Sequence, residues 1–302
     1  MSAKPVEVPV KTGEFRSHHF DSTRWNDFPF REGDVVVATY AKSGTTWMQQ
    51  IVGQLIFNGA EGIPIMDIAP WVDFRIIPFD EMMAGIEAQE HRRSFKTHLP
   101  ADKLVMSPKA KYIHVSRDGR DTLWSLYQHH SMYTPAMYEM VNETPGRVGP
   151  KIDPPPDDII EYFHRWLDED GFPYHPFFSH NQSWWDVREL PNVLLVHFNN
   201  LKTDLPGEIR RIANFLEIDI DEEKFPAIVE HCTFDYMKVH ANEFSALMEQ
   251  VFDGGGSSFI NKGTNGRWRD RLSPEDVRKY EEYASREMSP ECAKWIATGQ
   301  MP

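Results

Sequence analysis

The sequence predicts an α/β fold in which a central parallel sheet is flanked by helices. Val35, Val36, Val37 and Ala38 form an uncharged run that passes through a short polar turn into a helical pattern, Trp47, Ile51, Leu55 and Ile56, stopped at Asn58 and Gly59. A second apolar run, Val193 to Phe198, is again followed by an amphipathic helix, Leu205 to Leu216. Strands that lack polar alternation and are separated by helices fit a sheet covered on both faces, the usual setting of parallel strands.

A chain of 302 residues, 40% of them hydrophobic, can bury the core of one large α/β domain, and a single domain over 1–302 is expected. Residues 1–33 read as a leader packed on its surface, polar with scattered aromatics (Phe15, Phe20, Trp25, Phe28, Phe30) and without chemistry; His18 and His19 are read as solvated. Cys232 and Cys292 have no paired spacing, which argues for a reducing compartment and against a disulfide framework or a zinc site. The start carries Lys4, Glu7, Lys11, Glu14 and Arg16 but no apolar core, and no 18-residue apolar run occurs anywhere, so a cytoplasmic protein without membrane insertion is expected. A formal charge of −14 disfavours a general nucleic-acid binder. It still permits an anionic ligand, because surface charge is screened beyond ~8 Å and a few cations in a cleft then decide.

The turn after the first strand, Thr39 to Trp47, aims backbone N–H groups, a helix N-terminus, the Thr45 and Thr46 hydroxyls and the Lys42 ammonium at one point. That is a cradle for phosphate or sulfate. It departs from the usual P-loop because Lys42 precedes Gly44. Ile63 to Phe79, with Pro64, Pro70 and Pro78 among Trp71, Phe74, Ile76 and Ile77, reads as a pocket wall, and a helix follows from Asp80 to Glu90. Ser94 to Leu99 is a short strand stopped by Pro100, placing Lys96 and His98 at a strand end, where α/β enzymes keep their working groups. An imidazole with a pKa near 6.5 suits His98 to accept a hydroxyl proton at neutral pH.

Lys111 to Ser116 forms the next strand, Arg117 to Asp121 a turn, and a helix starts at Thr122 that Pro135 should end. The Arg117 fork together with Ser125 suits a phosphate, whereas pairing of Arg117 and Arg120 with Asp118 and Asp121 is the alternative. Trp124, Tyr127 and Tyr133 join Trp71 and Phe74 as candidate walls of an apolar substrate pocket. The proline-rich stretch 142–157 reads as a lid loop or a spacer. Helices are expected over Asp157–Asp168, His175–Val187 and Asp221–His231. Gly254 to Ser258 reads as a hinge, and Ser273 caps a terminal helix to Met288.

Thr39 to Trp47 resembles the phosphosulfate-binding loop of the cytosolic sulfotransferases, Thr-Tyr-Pro-Lys-Ser-Gly-Thr-Thr-Trp, with Ala41 in place of Pro. Lys96 to Pro100 matches that family's Lys-Thr-His-Leu-Pro, and Arg117, Asp121 and Ser125 meet its Arg-x-x-x-Asp-x-x-x-Ser pattern. Cys232 to Lys238 is similar to Thr-Ser-Phe-x-x-Met-Lys, and Asn261 to Trp268 resembles Arg-Lys-Gly-x-x-Gly-x-Trp. The resemblance implies a P-loop nucleotide-kinase-like fold and a sulfotransferase that uses 3′-phosphoadenosine 5′-phosphosulfate (PAPS). Such an enzyme moves the sulfuryl group to a hydroxyl or amine of a small apolar acceptor and leaves adenosine 3′,5′-bisphosphate (PAP). It implies His98 as general base with Lys42 and Lys96 beside it, and no metal. It further implies a cofactor site of Lys42, Ser43, Gly44, Thr45, Thr46, Trp47, Arg117, Ser125, Phe234, Asn261, Lys262 and Gly263, with Trp47 and Phe234 clamping the adenine.

The chain departs from the family at Phe198-Asn199-Asn200, where Tyr-Glu-Asp is usual, at Cys232 for Thr and at Asn261 for Arg, which removes polar contacts to the nucleotide. The family's dimer motif is unmet at Arg269, Ser273, Pro274 and Arg278, which leaves the oligomeric state open. A Mg-dependent P-loop kinase or NTPase, and a nucleotide-binding protein without catalysis, are the alternative readings.

Overall fold

The computed structural model describes residues 7–245 and 247–302. Strands β1 (Asp34–Thr39), β2 (Ser94–Thr97), β3 (Ala110–Ser116) and β4 (Val193–His197) form one parallel sheet in the order β2-β1-β3-β4. Helices α1 (Thr45–Ile56), α2 (Ile65–Ile68) and α3 (Phe79–Glu87) lie between β1 and β2. Between β3 and β4 come α4 (Gly119–Ser131), α5 (Pro135–Glu143), α6 (Ile159–Asp168) and α7 (Phe177–Asp186). After β4 the chain continues through α8 (Phe198–Thr203), α9 (Leu205–Leu216), α10 (Phe225–His231), α11 (Phe234–Val239), α12 (Met248–Val251), α13 (Gly255–Phe259), α14 (Pro274–Glu287) and α15 (Pro290–Thr298).

The period of two along each strand divides the core into two layers. Val35 and Val37, with Ile113, Val115 and Val196, pack under α1, α9 and α10 through Ile51, Leu55, Ile212 and Ile228. Val36 and Ala38, with Phe95 and Tyr112, face the other way, onto Leu123, Phe177 and Trp184. Both faces are covered, which is why the strands carry no polar alternation. At the start of the sheet the Arg93 guanidinium grips the Asp34 carboxylate with two hydrogen bonds, 2.9 and 2.5 Å, both side chains buried, and so ties β2 to β1.

Several expectations change. The leader is part of the core: Phe20 and Trp25 are fully buried, Trp25 and Phe28 pack on Phe95, and His18 and His19 are buried rather than solvated. Aromatics in a polar stretch cover the flank of the sheet beside its edge strand β2. Helix α4 begins at Gly119, three residues early, because the Asp118 carboxylate accepts the Arg120 N–H as an N-cap. Pro135 starts α5 as its first residue after the Thr134 cap, a position that needs no N–H.

Gly254 to Ser258 is no hinge: the glycines enter α13, and a Cβ on Gly256 would lie 2.5 Å from the Ala241 carbonyl carbon. Gly256 is there for close approach. The 142–157 stretch is folded back on α5, with the Asn142 amide exchanging two 2.8 Å hydrogen bonds with the Ile152 backbone and Ile152 itself buried. A further helix, α15, follows α14.

Candidate active site

In this strand order the chain leaves β1 on one side toward β2 and crosses to β3 on the other, so the C-terminal ends of β1 and β3 diverge into a crevice. A cavity of about 840 Å³ opens there. The β1–α1 turn forms its floor through two left-handed residues, Lys42 at φ 68° and Gly44 at φ 118°. A side chain at Gly44 would meet the Phe198 ring at 3.1 Å and Val115 at 3.3 Å, so the turn can press against β3 and the start of α8 only as glycine. Thr45, Thr46 and Trp47 then open α1 with their N–H groups at the cavity.

Lys42, Lys96 and Arg117 converge on this end. Lys42 Nζ lies 3.3 Å from His129 Nδ1 and 4.5 Å over the Phe259 ring. Burial, reinforced by Lys96 and Arg117, pushes its ammonium down to about 7. Lys96 lies over the Trp71 ring at 4.7 Å and is brought to about 8 by burial, against the opposing pull of Asp73. Arg117 donates to the Lys42 and Thr264 carbonyls, both at 3.2 Å, and to Asn265 Oδ1 at 2.6 Å, and it stacks 4.2 Å over Phe198. Three cations around one space, Arg117 buried and Lys42 and Lys96 half-buried, form a strong anion trap. Arg120, by contrast, is taken up by Asp118 at 2.6 Å, so the expected alternative pairing holds for Arg120 and not for Arg117.

His98 follows β2 and is buried. Its Nδ1 lies 2.8 Å from the Thr39 carbonyl, which can only accept, so the ring proton sits on Nδ1 and Nε2 carries the free lone pair. Burial, then the charge of Lys96, holds its pKa well below the usual value, so the imidazole is neutral at pH 7. Thr39 Oγ1 bridges to Thr45 Oγ1 at 2.6 Å and links this histidine to the cradle.

Of the residues singled out in the sequence, Lys42, Gly44, Thr45, Thr46, Trp47, Lys96, His98, Arg117, Ser125, Phe234, Asn261, Lys262 and Gly263 all line the one cavity. Trp47 is fixed by its Nε1–H to the Cys232 carbonyl, 2.8 Å, and packs edge-on to Phe198. Asn261 donates to Gln128 Oε1 at 2.7 Å. Trp71, Phe74, Trp124 and Tyr133 line the same space.

Two residues are not brought there. Ser43 is fully buried under the turn, its N–H donated to the Tyr40 carbonyl and its hydroxyl facing Thr122, because the left-handed residue before it swings the side chain inward. Tyr127 points away: Trp124, Ser125 and Gln128 occupy the cavity side of α4, and the Tyr127 hydroxyl donates to the Asp157 carbonyl. His19, His129, Tyr174 and Lys202 also line the cavity and were missed. For His129 a signal existed, since Asp121, Ser125, Gln128 and His129 recur at helical spacing on one face.

The other end of the cavity is apolar. Met66, Ile76, Met137 and Met248 wall it, with Trp71 and Phe252 between them and the cations, while Ile77, Met140 and Leu247 stand exposed at the rim.

A sequence profile of the sulfotransferase domain matches residues 32–290. A glycolipid sulfotransferase of Mycobacterium bovis is 29% identical over 309 aligned positions, covering 95% of this chain and 94% of that protein. Mouse sulfotransferase 1B1 is 29% identical over 277 positions, 88% and 86% of the two chains. Among solved structures, mouse sulfotransferase SULT7A1 complexed with PAP superposes with a TM-score of 0.69 at 21% identity, over 91% of this chain and 93% of that one. Retinol dehydratase in a complex with retinol and PAP gives 0.70 at 21% identity, over 93% and 86%.

Proposed function

The chain belongs to the sulfotransferase family, and on that premise we propose that it transfers the sulfuryl group of PAPS to the hydroxyl of an uncharged acceptor with a flexible apolar tail. The observation that carries this reading is the polarity of one cavity. Three cations and a neutral histidine lie at one end, and methionine-rich walls make up the rest. The cradle fits the donor: Gly44 lets the turn pack closely on Phe198 and Val115, and Lys42, Lys96 and Arg117 supply charge for a phosphosulfate and a 3′-phosphate.

His98 Nε2 takes the proton of the acceptor hydroxyl as the oxygen attacks sulfur. The sulfur–oxygen bond to the nucleotide phosphate breaks, and the leaving phosphate keeps the electron pair. Lys42 and the Thr45 and Thr46 groups hold the charge that develops there, and Lys96 holds the sulfuryl oxygens. Arg117 with Ser125 holds the 3′-phosphate, and Trp47 with Phe234 the adenine, a stacking contact of ~1–3 kcal/mol. Donor binding brings negative charge beside His98, which raises its proton affinity from the depressed value set by burial and Lys96.

Six methionines, Met66, Met82, Met137, Met140, Met237 and Met248, line the cavity and can repack around a bending chain. Asp67 and Glu81, exposed at that end, disfavour an anionic tail. Similarity to the mycobacterial glycolipid enzyme supports an amphiphilic acceptor. Among the described residues no helix is long and apolar enough to cross a membrane. Both cysteines are buried and free, in keeping with a reducing, cytoplasmic setting.

The test is sulfation of a 4-alkylphenol series by PAPS, followed by sulfate ester and PAP formed in equal amounts. Each methylene buried adds ~0.8 kcal/mol, so kcat/KM should climb about fourfold per carbon until the tail reaches the mouth. Turnover that is flat with chain length would refute the acceptor class, and no ester with any phenol or alcohol would count against the transfer itself.

A further inference from the structure

Lys42 is a half-buried ammonium that, among the described residues, no carboxylate pairs. Its neighbours are His129 Nδ1 at 3.3 Å, the face of Phe259, and two repelling cations, Lys96 on β2 and Arg117 after β3. His129 lies on the cavity side of α4, and its second nitrogen, Nε2, is 3.2 Å from the Tyr133 hydroxyl. We propose that His129 is a positioning residue for Lys42, an uncharged acceptor that keeps the lysine protonated and directs its ammonium at the cradle.

With Lys42 protonated, the hydrogen-bond chemistry has one solution. The ammonium has only N–H to offer, so Nδ1 must accept, and the ring proton is left on Nε2 for the Tyr133 oxygen. Tyr133 thereby fixes the tautomer that Lys42 needs. An imidazole in place of a carboxylate has a consequence for the reaction. A carboxylate would spend the lysine's charge in an ion pair and repel an anionic donor, whereas neutral His129 and the Phe259 face hold the ammonium while leaving its charge unpaired for the nucleotide phosphate.

The remaining titratable groups facing this pair are His98 beyond β2, His130 on α4 and His19 from the N-terminal segment, all kept neutral at pH 7 by burial. None of them competes with His129 by supplying a charge.

The inference rests on the cavity being the PAPS site, and its test separates the two. PAP binding is titrated calorimetrically between pH 6 and pH 9.5 for the wild type, His129→Phe, His129→Gln and Tyr133→Phe, with thermal melting of each. Wild-type affinity should fall on the alkaline side as Lys42 loses its proton. Losing a hydrogen bond to a charged group should move that limb down by about one pH unit in His129→Phe, with affinity at pH 8 about tenfold weaker. His129→Gln, whose amide oxygen can accept, should stay close to the wild type, and Tyr133→Phe should move part of the way.

A folded His129→Phe whose limb coincides with the wild type overturns the proposal, as does a Gln variant no better than Phe. If His129→Phe does not melt cooperatively, Tyr133→Phe decides, and an unmoved limb there overturns it. A wild type that does not bind PAP at any pH removes the donor site and this role together.

Discussion

At the cradle end of the cavity three cations and the neutral His98 sit on the sheet or within three residues of a strand's C-terminal end: Lys42 after β1, Lys96 in β2, His98 after β2, Arg117 after β3. At the acceptor end the walls come from α2, α3, α5, α12 and the segment after α2, short elements outside the four-stranded ladder apart from one bridge of Trp71 to Lys96 of β2. Strand register fixes the first set to within a fraction of a residue. The second is held by side-chain packing among methionines, which tolerates rearrangement. A rigid anion site joined to a compliant apolar one lets a single donor be matched to acceptors of varied shape.

Substitutions can break that division one end at a time. The largest effect is expected from His98→Ala, which should lower turnover ~10²- to 10⁴-fold, read by steady-state kinetics, with PAP affinity nearly unchanged. Next, Arg117→Lys removes the fork that holds Asn265 and Thr264 and should weaken PAP binding ~10- to 100-fold, leaving the KM of the acceptor in place.

At the apolar end, Met137→Ala should cut kcat/KM for a long-chain phenol about tenfold and leave PAP calorimetry untouched, because the residue borders only the acceptor wall. The two ends should also differ in pH response. Lys42 and Lys96 are depressed to about 7 and about 8, and only their protonated forms attract the nucleotide, so PAP binding should weaken and take up protons as pH rises through that range. Acceptor KM should stay flat.

The smallest effect is expected from Phe198→Tyr, which supplies the hydroxyl usual in the family. It should tighten PAP binding a few-fold unless stacking under Arg117 turns the ring away.

The same division governs what could be read from the sequence. The cradle was legible because its parts are contiguous or end a strand, and chemistry at such places is local. Ser43 misled because membership of a contiguous motif says nothing of which way a side chain turns once Lys42 adopts a left-handed conformation. Tyr127 misled for a different reason: it lies only about 60° round the helix from Trp124, but its hydroxyl is drawn off to the Asp157 carbonyl of a distant segment.

At the acceptor end, Trp71, Phe74 and Tyr133 were recognisable as aromatic surface. His19 and Tyr174 were not, because they reach the cavity only through folding of distant segments. Gly254 to Gly256 shows a further limit: a glycine run is compatible with mobility or with tight contact, and only Ala241 lying against Gly256 decides between them. The buried leader had its signal in Phe15, Phe20, Trp25, Phe28 and Phe30, too many aromatics to leave on a surface.

The central claim is that the cradle binds a nucleotide 3′,5′-bisphosphate and that the base beside it serves chemistry alone. Calorimetric titration of PAP into the wild type and His98→Ala at pH 7, with magnesium chelated and then with Mg·ATP as competitor, tests it most directly. The account predicts one PAP per chain with similar affinity for both proteins, and no displacement by Mg·ATP. Absence of PAP binding, or displacement of PAP by Mg·ATP at comparable concentration, would contradict it.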